Sequence, residues 1–404
     1  MKNIEGDTKE KFTDIIRIET IIVFSIVTSL IIGGSLAFGI IENIILPVSI
    51  SLFFINAYFS FKKINSNLIS VMYLIVLFIF MTNTGNKNGL NGDYKAYEGL
   101  YMHFSNGGSI GNIAGYTTDY FYMALMKLIS LTGIEYNGFL ILVSLTSFFL
   151  IFSTIKELTK NYNLILLCYS ISPFFYDVFQ IRYFFAYSIV IFALKYIITK
   201  KNNGFKYTLL ILFASLFHKA ILFFLIYNLV FFRIKLILQL VFSVFSGVTI
   251  LSLFTKINLI DFFYSKLNIS SFETYTSNEI KYEISSTTSL LTIFFIIVLI
   301  WIINLINSQT NEFIVNRVLW LNYFNILLMP FMFITLDFER YTRPIMLINY
   351  ALIASYLHIF KLRKKIIIII FLLLVLLTRQ IIMIETTKTV IENNLFINYD
   401  LFDN

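Results

Sequence analysis

The residue types that build many active sites are scarce in this chain. A single cysteine, Cys168, has no partner for an intramolecular disulfide and cannot form a thiolate metal cluster. The three histidines, His103, His218 and His358, stand far apart, so no clustered histidine metal site is expected. Charge is scarce as well, 13% of residues against about 25% in soluble chains, which excludes an ordinary water-soluble domain. There is no Gly-Lys-Ser/Thr phosphate loop and no soluble nucleotide-binding segment. Any energy or reactive group must therefore arrive with the substrate, and no cofactor is expected. The net charge of +8 does not indicate a nucleic-acid partner, because the basic residues are dispersed among loops rather than gathered on one polar domain.

What the chain does contain is apolar surface: 58% hydrophobic residues and a mean hydropathy of +0.80. Its apolar stretches run about 15 to 24 residues, matching the ~20 needed to cross hydrocarbon as helix. The expectation is an all-α polytopic membrane protein of about 11–13 transmembrane helices, in one integral domain over 1–404. Spans are expected near 18–40, 43–60, 67–82, 137–155, 162–178, 182–199, 236–254, 289–306, 318–336, 342–360 and 366–384. The first lacks a basic n-region and is read as a retained helix rather than a signal peptide. Residues 119–130 are too short to cross and read as an interfacial or re-entrant helix.

The segment 207–232 carries His218 and Lys219 at its middle. A lysine at the bilayer centre costs about 2.5 kcal/mol or more, so a helical hairpin with His218 at its apex is expected instead. The positive-inside rule then assigns 19 of the 31 basic residues to the cytoplasmic side. The remaining 12 are spread over much longer loops. In this orientation 1–14 is a cytoplasmic tail, and the loops 83–117 and 255–288, the Arg182 turn, the His218 apex, the Arg340 turn and the tail 385–404 lie outside.

Four constellations on that outer face can carry chemistry. In Gly92-Asp93-Tyr94 with Tyr97 and Tyr101, helical spacing sets Asp93, Tyr97 and Tyr101 on one face. A carboxylate among aromatic rings suits a sugar; the same residues also suit a helix cap and interfacial tyrosines. Arg182, in Phe179-Gln180-Ile181-Arg182-Tyr183, sets a guanidinium at the mouth of a helix, where it can hold a phosphate or snorkel to headgroups. His218, in Leu216-Phe217-His218-Lys219-Ala220, can accept a proton or simply pack between helices. In Asp337-Phe338-Glu339-Arg340-Tyr341-Thr342-Arg343-Pro344, two arginines three apart can clamp a diphosphate or pair with the neighbouring acids.

Taken in order, Gly-Asp-Tyr-x-x-Tyr, Ile-Arg-x-x-x-Ala, Leu-Phe-His-x-Ala and Arg-Tyr before a late helix resemble the EpsG-type Wzy polysaccharide polymerases, over about 67–384. The acidic-Pro-Gly-aromatic entry of many relatives is here Thr118-Asp119-Tyr120-Phe121, and the N-terminus is longer by a helix. The resemblance implies a metal-independent glycosyltransferase of the bacterial inner membrane, making O-antigen or exopolysaccharide. Its implied partners are an undecaprenyl-diphosphate-linked oligosaccharide, the bilayer and a chain-length regulator protein. On this expectation Arg182, Arg340 and Arg343 hold the donor diphosphate, His218 is the base, Asp93 orients the acceptor, and Tyr94, Tyr97 and Tyr101 pack on sugar rings. The alternatives are a glycosyltransferase using a polyprenyl-phosphate sugar, an O-antigen ligase, and a lipid-linked oligosaccharide flippase. The flippase predicts charges on both faces, whereas the unusual charges here gather on one.

Overall fold

A computed structural model describes residues 55, 67–83, 92–110, 120–199, 203–231, 286–326, 332, 336–361, 363–369, 371–372 and 376. The expected spans 18–40 and 236–254, most of 43–60 and of 366–384, the tails, and most of the loop 255–288 lie outside these residues. Among the described residues there is helix and no strand, as expected of an all-α membrane protein. Among the described residues, three helices are long and apolar enough to cross a bilayer.

The chain centres on α7, which runs Ile181–Ile198. Of its 18 residues 14 are buried, so it is apolar on every side and enclosed by neighbours rather than facing solvent or lipid on one stripe. Its neighbours include α4 (Tyr136–Leu158), α8 (Gly204–Ser215), the 3-10 segment Lys219–Phe231 and α11 (Arg343–Tyr356). Helices α4 and α7 run parallel: Phe148 meets Phe184, and farther along Thr154 Oγ1 donates to the Ile191 carbonyl at 3.2 Å. The return path between them is α5 (Tyr162–Ile171) and the short α6 (Phe174–Phe179). Thus the predicted span 162–178 is two helices, interrupted at Ser172-Pro173, where proline removes a backbone donor.

The predicted hairpin over 207–232 is present. Its arms are α8 and the 3-10 segment, pinned by the Tyr207 hydroxyl donating to the Phe224 carbonyl and Asn228 Nδ2 donating to Thr208 Oγ1. His218 sits in the turn. The other described helices include α1 (Asn67–Asn83), α2 (Gly92–Ser105), α3 (Tyr120–Ser130), α9 (Ser286–Thr310) and α10 (Phe313–Ile326), with a 3-10 turn Leu336–Thr342 leading into α11 and another, Leu357–Ile359, following it. Helix α2 lies within the predicted loop 83–117 and ends at a glycine, Gly107, whose φ of 85° suits a residue without Cβ.

Apolar exposure follows the expectation for lipid contact. Leu142, Leu145 and Phe149 on α4, Phe205, Leu209 and Leu212 on α8, and Phe294, Ile297 and Trp301 on α9 form outward stripes at helical spacing. Inside, polar side chains join helices. Asn322 of α10 and Asn349 of α11 exchange two amide hydrogen bonds at 2.7 and 2.8 Å, and the Tyr227 hydroxyl donates to Asn325 Oδ1.

Candidate functional site

One end of this bundle collects the start of α7, the tip of the hairpin, the 336–342 turn and α2. Their side chains enclose a cavity of about 60 Å³ lined by Tyr97, Gln180, Arg182, Tyr183, His218 and Arg340. Four of the expected site residues, Tyr97, Arg182, His218 and Arg340, meet there although 243 positions separate the first from the last.

Each is held by local structure. Arg182 is in the first turn of α7, with its guanidinium 5.4 Å from the centre of the Tyr97 ring. A cation there opposes the positive end of the helix dipole, a placement that an anion in the cavity would relieve. Arg340 lies in the 3-10 turn, stacked 5.7 Å from the Tyr183 ring, and its backbone carbonyl accepts the Tyr183 hydroxyl at 2.7 Å. His218 is buried edge-on against Tyr183, with ring centres 5.1 Å apart. Its Nδ1 accepts the Ala220 amide hydrogen at 3.3 Å, which assigns the hydrogen of the neutral ring to Nε2. Burial, and then the Arg182 and Arg340 guanidiniums, hold this imidazole down to about 3, so the ring is neutral at physiological pH.

The lining therefore offers two guanidiniums, phenols, a neutral imidazole and an amide, and among the described residues no carboxylate. This is a donor-rich surface suited to an anion carrying several oxygens. No group of three or more His, Cys, Asp or Glu side chains that could hold a metal ion occurs among the described residues.

Arg343 does not line the cavity. It is buried behind it, its Nη1 donating to Asp177 Oδ1 at 3.3 Å, with Glu339 3.9 Å away and the rings of Tyr176 and Tyr183 at 4.8 and 5.8 Å. Asp177 also accepts the hydroxyls of Tyr169 and Tyr187. Tyr94 and Tyr101 likewise point elsewhere: the Tyr94 hydroxyl donates to Asn137 Oδ1, the Tyr101 hydroxyl to the Ile134 carbonyl, and both rings pack on Tyr136. They seat α2 against α4, leaving Tyr97 as the tyrosine of that trio at the cavity. Asp93 stands in the first turn of α2, one turn before Tyr97; its side chain lies outside the described residues, as does Asp337's.

Sequence reasoning assigned no role to Gln180, Tyr183 or Asp177. For Asp177 the signal was present: an acid inside an apolar stretch is rare unless paired. Gln180 and Tyr183 adjoin Arg182 and carry no comparable signal, because their importance arises when the hairpin tip and the 340 turn close over them.

A family model described as the EpsG family matches residues 70–401 and so includes every residue of the cavity. No curated protein and no solved structure matches the chain.

Proposed function

Because the chain belongs to the EpsG family, polysaccharide polymerase-type membrane proteins, we propose that it joins lipid-linked oligosaccharide repeat units at the outer face of the bacterial inner membrane. In this reading the donor is a growing glycan on undecaprenyl diphosphate. The bond between the anomeric carbon and the diphosphate oxygen breaks, the diphosphate leaves with the electron pair, and a hydroxyl of a second lipid-linked unit forms the new bond.

The observation that carries the reading is the convergence of Arg182 and Arg340, 158 positions apart in the chain, on one donor-rich cavity beside His218. A leaving diphosphate gains negative charge as its bond breaks, and fixed guanidiniums stabilise it more in the transition state than in the ground state. The bound donor carries its own leaving group, in keeping with the absence of a phosphate-loop motif. Tyr97, stacked under Arg182, offers a ring face to a sugar.

The tautomer of His218 bears on its part in the reaction. With Nδ1 engaged by the Ala220 amide and Nε2 protonated, the ring is set to donate a hydrogen bond to a diphosphate oxygen. The acceptor proton then falls to Asp93, which shares the face of α2 with Tyr97. Arg343, Tyr94 and Tyr101 act in this scheme by holding the cavity walls.

The length distribution of surface glycan, resolved on a gel for a strain lacking the gene, its parent and complemented strains, tests the proposal. Loss of the ladder with single repeats retained is expected, and complementation by Arg182→Lys should restore only short chains because lysine lacks the planar fork. Loss of all repeats would move the assignment to export or ligation. An unchanged ladder with altered sugar content would move it to a single-sugar transferase.

A further inference from the structure

Gln180 sits at the junction between α6 and α7, where its main chain is fully engaged. Its amide hydrogen goes to the Tyr176 carbonyl at 3.0 Å, and its carbonyl accepts the Phe184 amide at 2.8 Å. It occupies the capping position of α7, yet its side chain makes no capping hydrogen bond. Gln180 lines the cavity, and its side-chain Oε1 is buried without a hydrogen-bond partner among the described residues. A buried acceptor left unmade is costly, and its retention calls for an explanation.

The rest of the lining sharpens the question. Arg182 and Arg340 offer donors only, and neutral His218 offers Nε2–H. The Tyr183 hydroxyl is already committed to the Arg340 carbonyl. All of this suits an anion, but an amide oxygen does not: it repels anionic oxygens and attracts O–H or N–H. A ligand matching the whole lining thus carries a neutral hydrogen-bond donor close to its anionic group. Gln180 and Arg182 line one cavity of only about 60 Å³, so that donor lies within a few bonds of the anion held by Arg182. In a glycosyl diphosphate the donor-bearing position nearest the diphosphate is C2 of the attached sugar.

We infer that Gln180 recognises the sugar joined to the donor diphosphate, by accepting a hydrogen bond from its C2 hydroxyl or C2 amide. The inference rests on the polymerase reading, since it takes the anion to be a glycosyl diphosphate. The terminal torsion of a glutamine amide is soft, so the oxygen turns to meet the sugar at little cost. Gln180 is then a specificity residue: it separates a glycosylated lipid from the bare diphosphate lipid that is the product.

The test uses full-length protein in lipid nanodiscs and three probes: undecaprenyl diphosphate, the same lipid carrying one hexose, and its 2-deoxy-2-fluoro counterpart, which lacks the donated hydrogen. The native protein should bind the hydroxyl compound roughly 3- to 10-fold more tightly than the fluoro compound, the range for one neutral hydrogen bond. Gln180→Met, nearly the same shape, should bind these two alike while still holding the bare lipid; Gln180→Leu serves as a second variant. A variant that keeps the preference, or weakens all three probes equally, overturns the role of Gln180. Native protein that binds all three alike does the same and leaves the diphosphate site standing. Native protein that binds none of them overturns the diphosphate reading and this inference with it.

Discussion

Tyr183 ties the charged parts of the cavity to one ring. It meets the His218 ring in a T-shaped contact, lies under Arg340, and its hydroxyl reaches the Arg340 carbonyl across the junction between two distant segments. Tyr183→Phe keeps the ring and removes only that hydrogen bond, so polymer formation should fall roughly 3- to 10-fold in a protein that still folds. His218 separates two chemistries. If it donates through Nε2, His218→Asn keeps an N–H and should retain activity within about 10-fold, whereas loss of a general base costs about 10²–10⁴-fold. The pH profile checks the same point. The ring is held at about 3, below its ordinary 6.5, so it stays neutral as pH falls from 7.5 to 5.5, and kcat/KM should show no His218 limb near 6.5. At this scale Arg182, His218 and Arg340 were legible because each breaks an apolar context at the mouth of a helix. Gln180 and Tyr183 were not, because an amide and a phenol beside an arginine are ordinary until tertiary closure surrounds them.

Between elements, the Asp177–Arg343 pair fastens α6 to the first turn of α11, and both residues are almost wholly buried. That turn directly follows the segment bearing Arg340, so the pair fixes where the cavity cation stands. Removing one partner of a buried ion pair leaves the other charge stranded, at about 3–5 kcal/mol, whereas apolar replacement of both is often near neutral. Asp177→Leu should therefore lower the thermal midpoint of the detergent-solubilised protein sharply, and Asp177→Leu with Arg343→Met should recover much of it. Equal midpoints for the single variant and the native protein would remove the pair from the fold's essentials. Element boundaries were readable where charge interrupted the apolar pattern: the hairpin at 207–232 followed from the cost of submerging Lys219. The division of 162–178 into α5 and α6 was not anticipated, because the apolar run continues through Ser172-Pro173 and masks the break.

For the molecule as a whole, composition alone carried the fold class, since a chain so poor in charge and so rich in apolar runs satisfies its backbone in lipid only as helix or closed barrel. Sidedness is a separate matter, and the proposed chemistry depends on it. Helix α4, with 23 residues and about 34 Å of length, is long and apolar enough to cross the hydrocarbon, and the cavity lies toward the end where α4 and α7 begin. The positive-inside rule predicts that end to face outward, since Lys156 and Lys160 close the other end of α4. The buried single cysteine makes this easy to test, because Cys168 gives a low labelling background that Cys168→Ala removes altogether. Glu135 and Lys219 are exposed toward the cavity end, and Lys160 is exposed at the opposite end. In the Cys168→Ala background, Glu135→Cys and Lys219→Cys should react with a membrane-impermeant maleimide on osmotically opened cells whose inner membrane is intact. Lys160→Cys should react only after that membrane is permeabilised. The reverse pattern would turn the two arginines toward the cytoplasm, where lipid-linked units are assembled rather than polymerised, and the proposed reaction would lose its site.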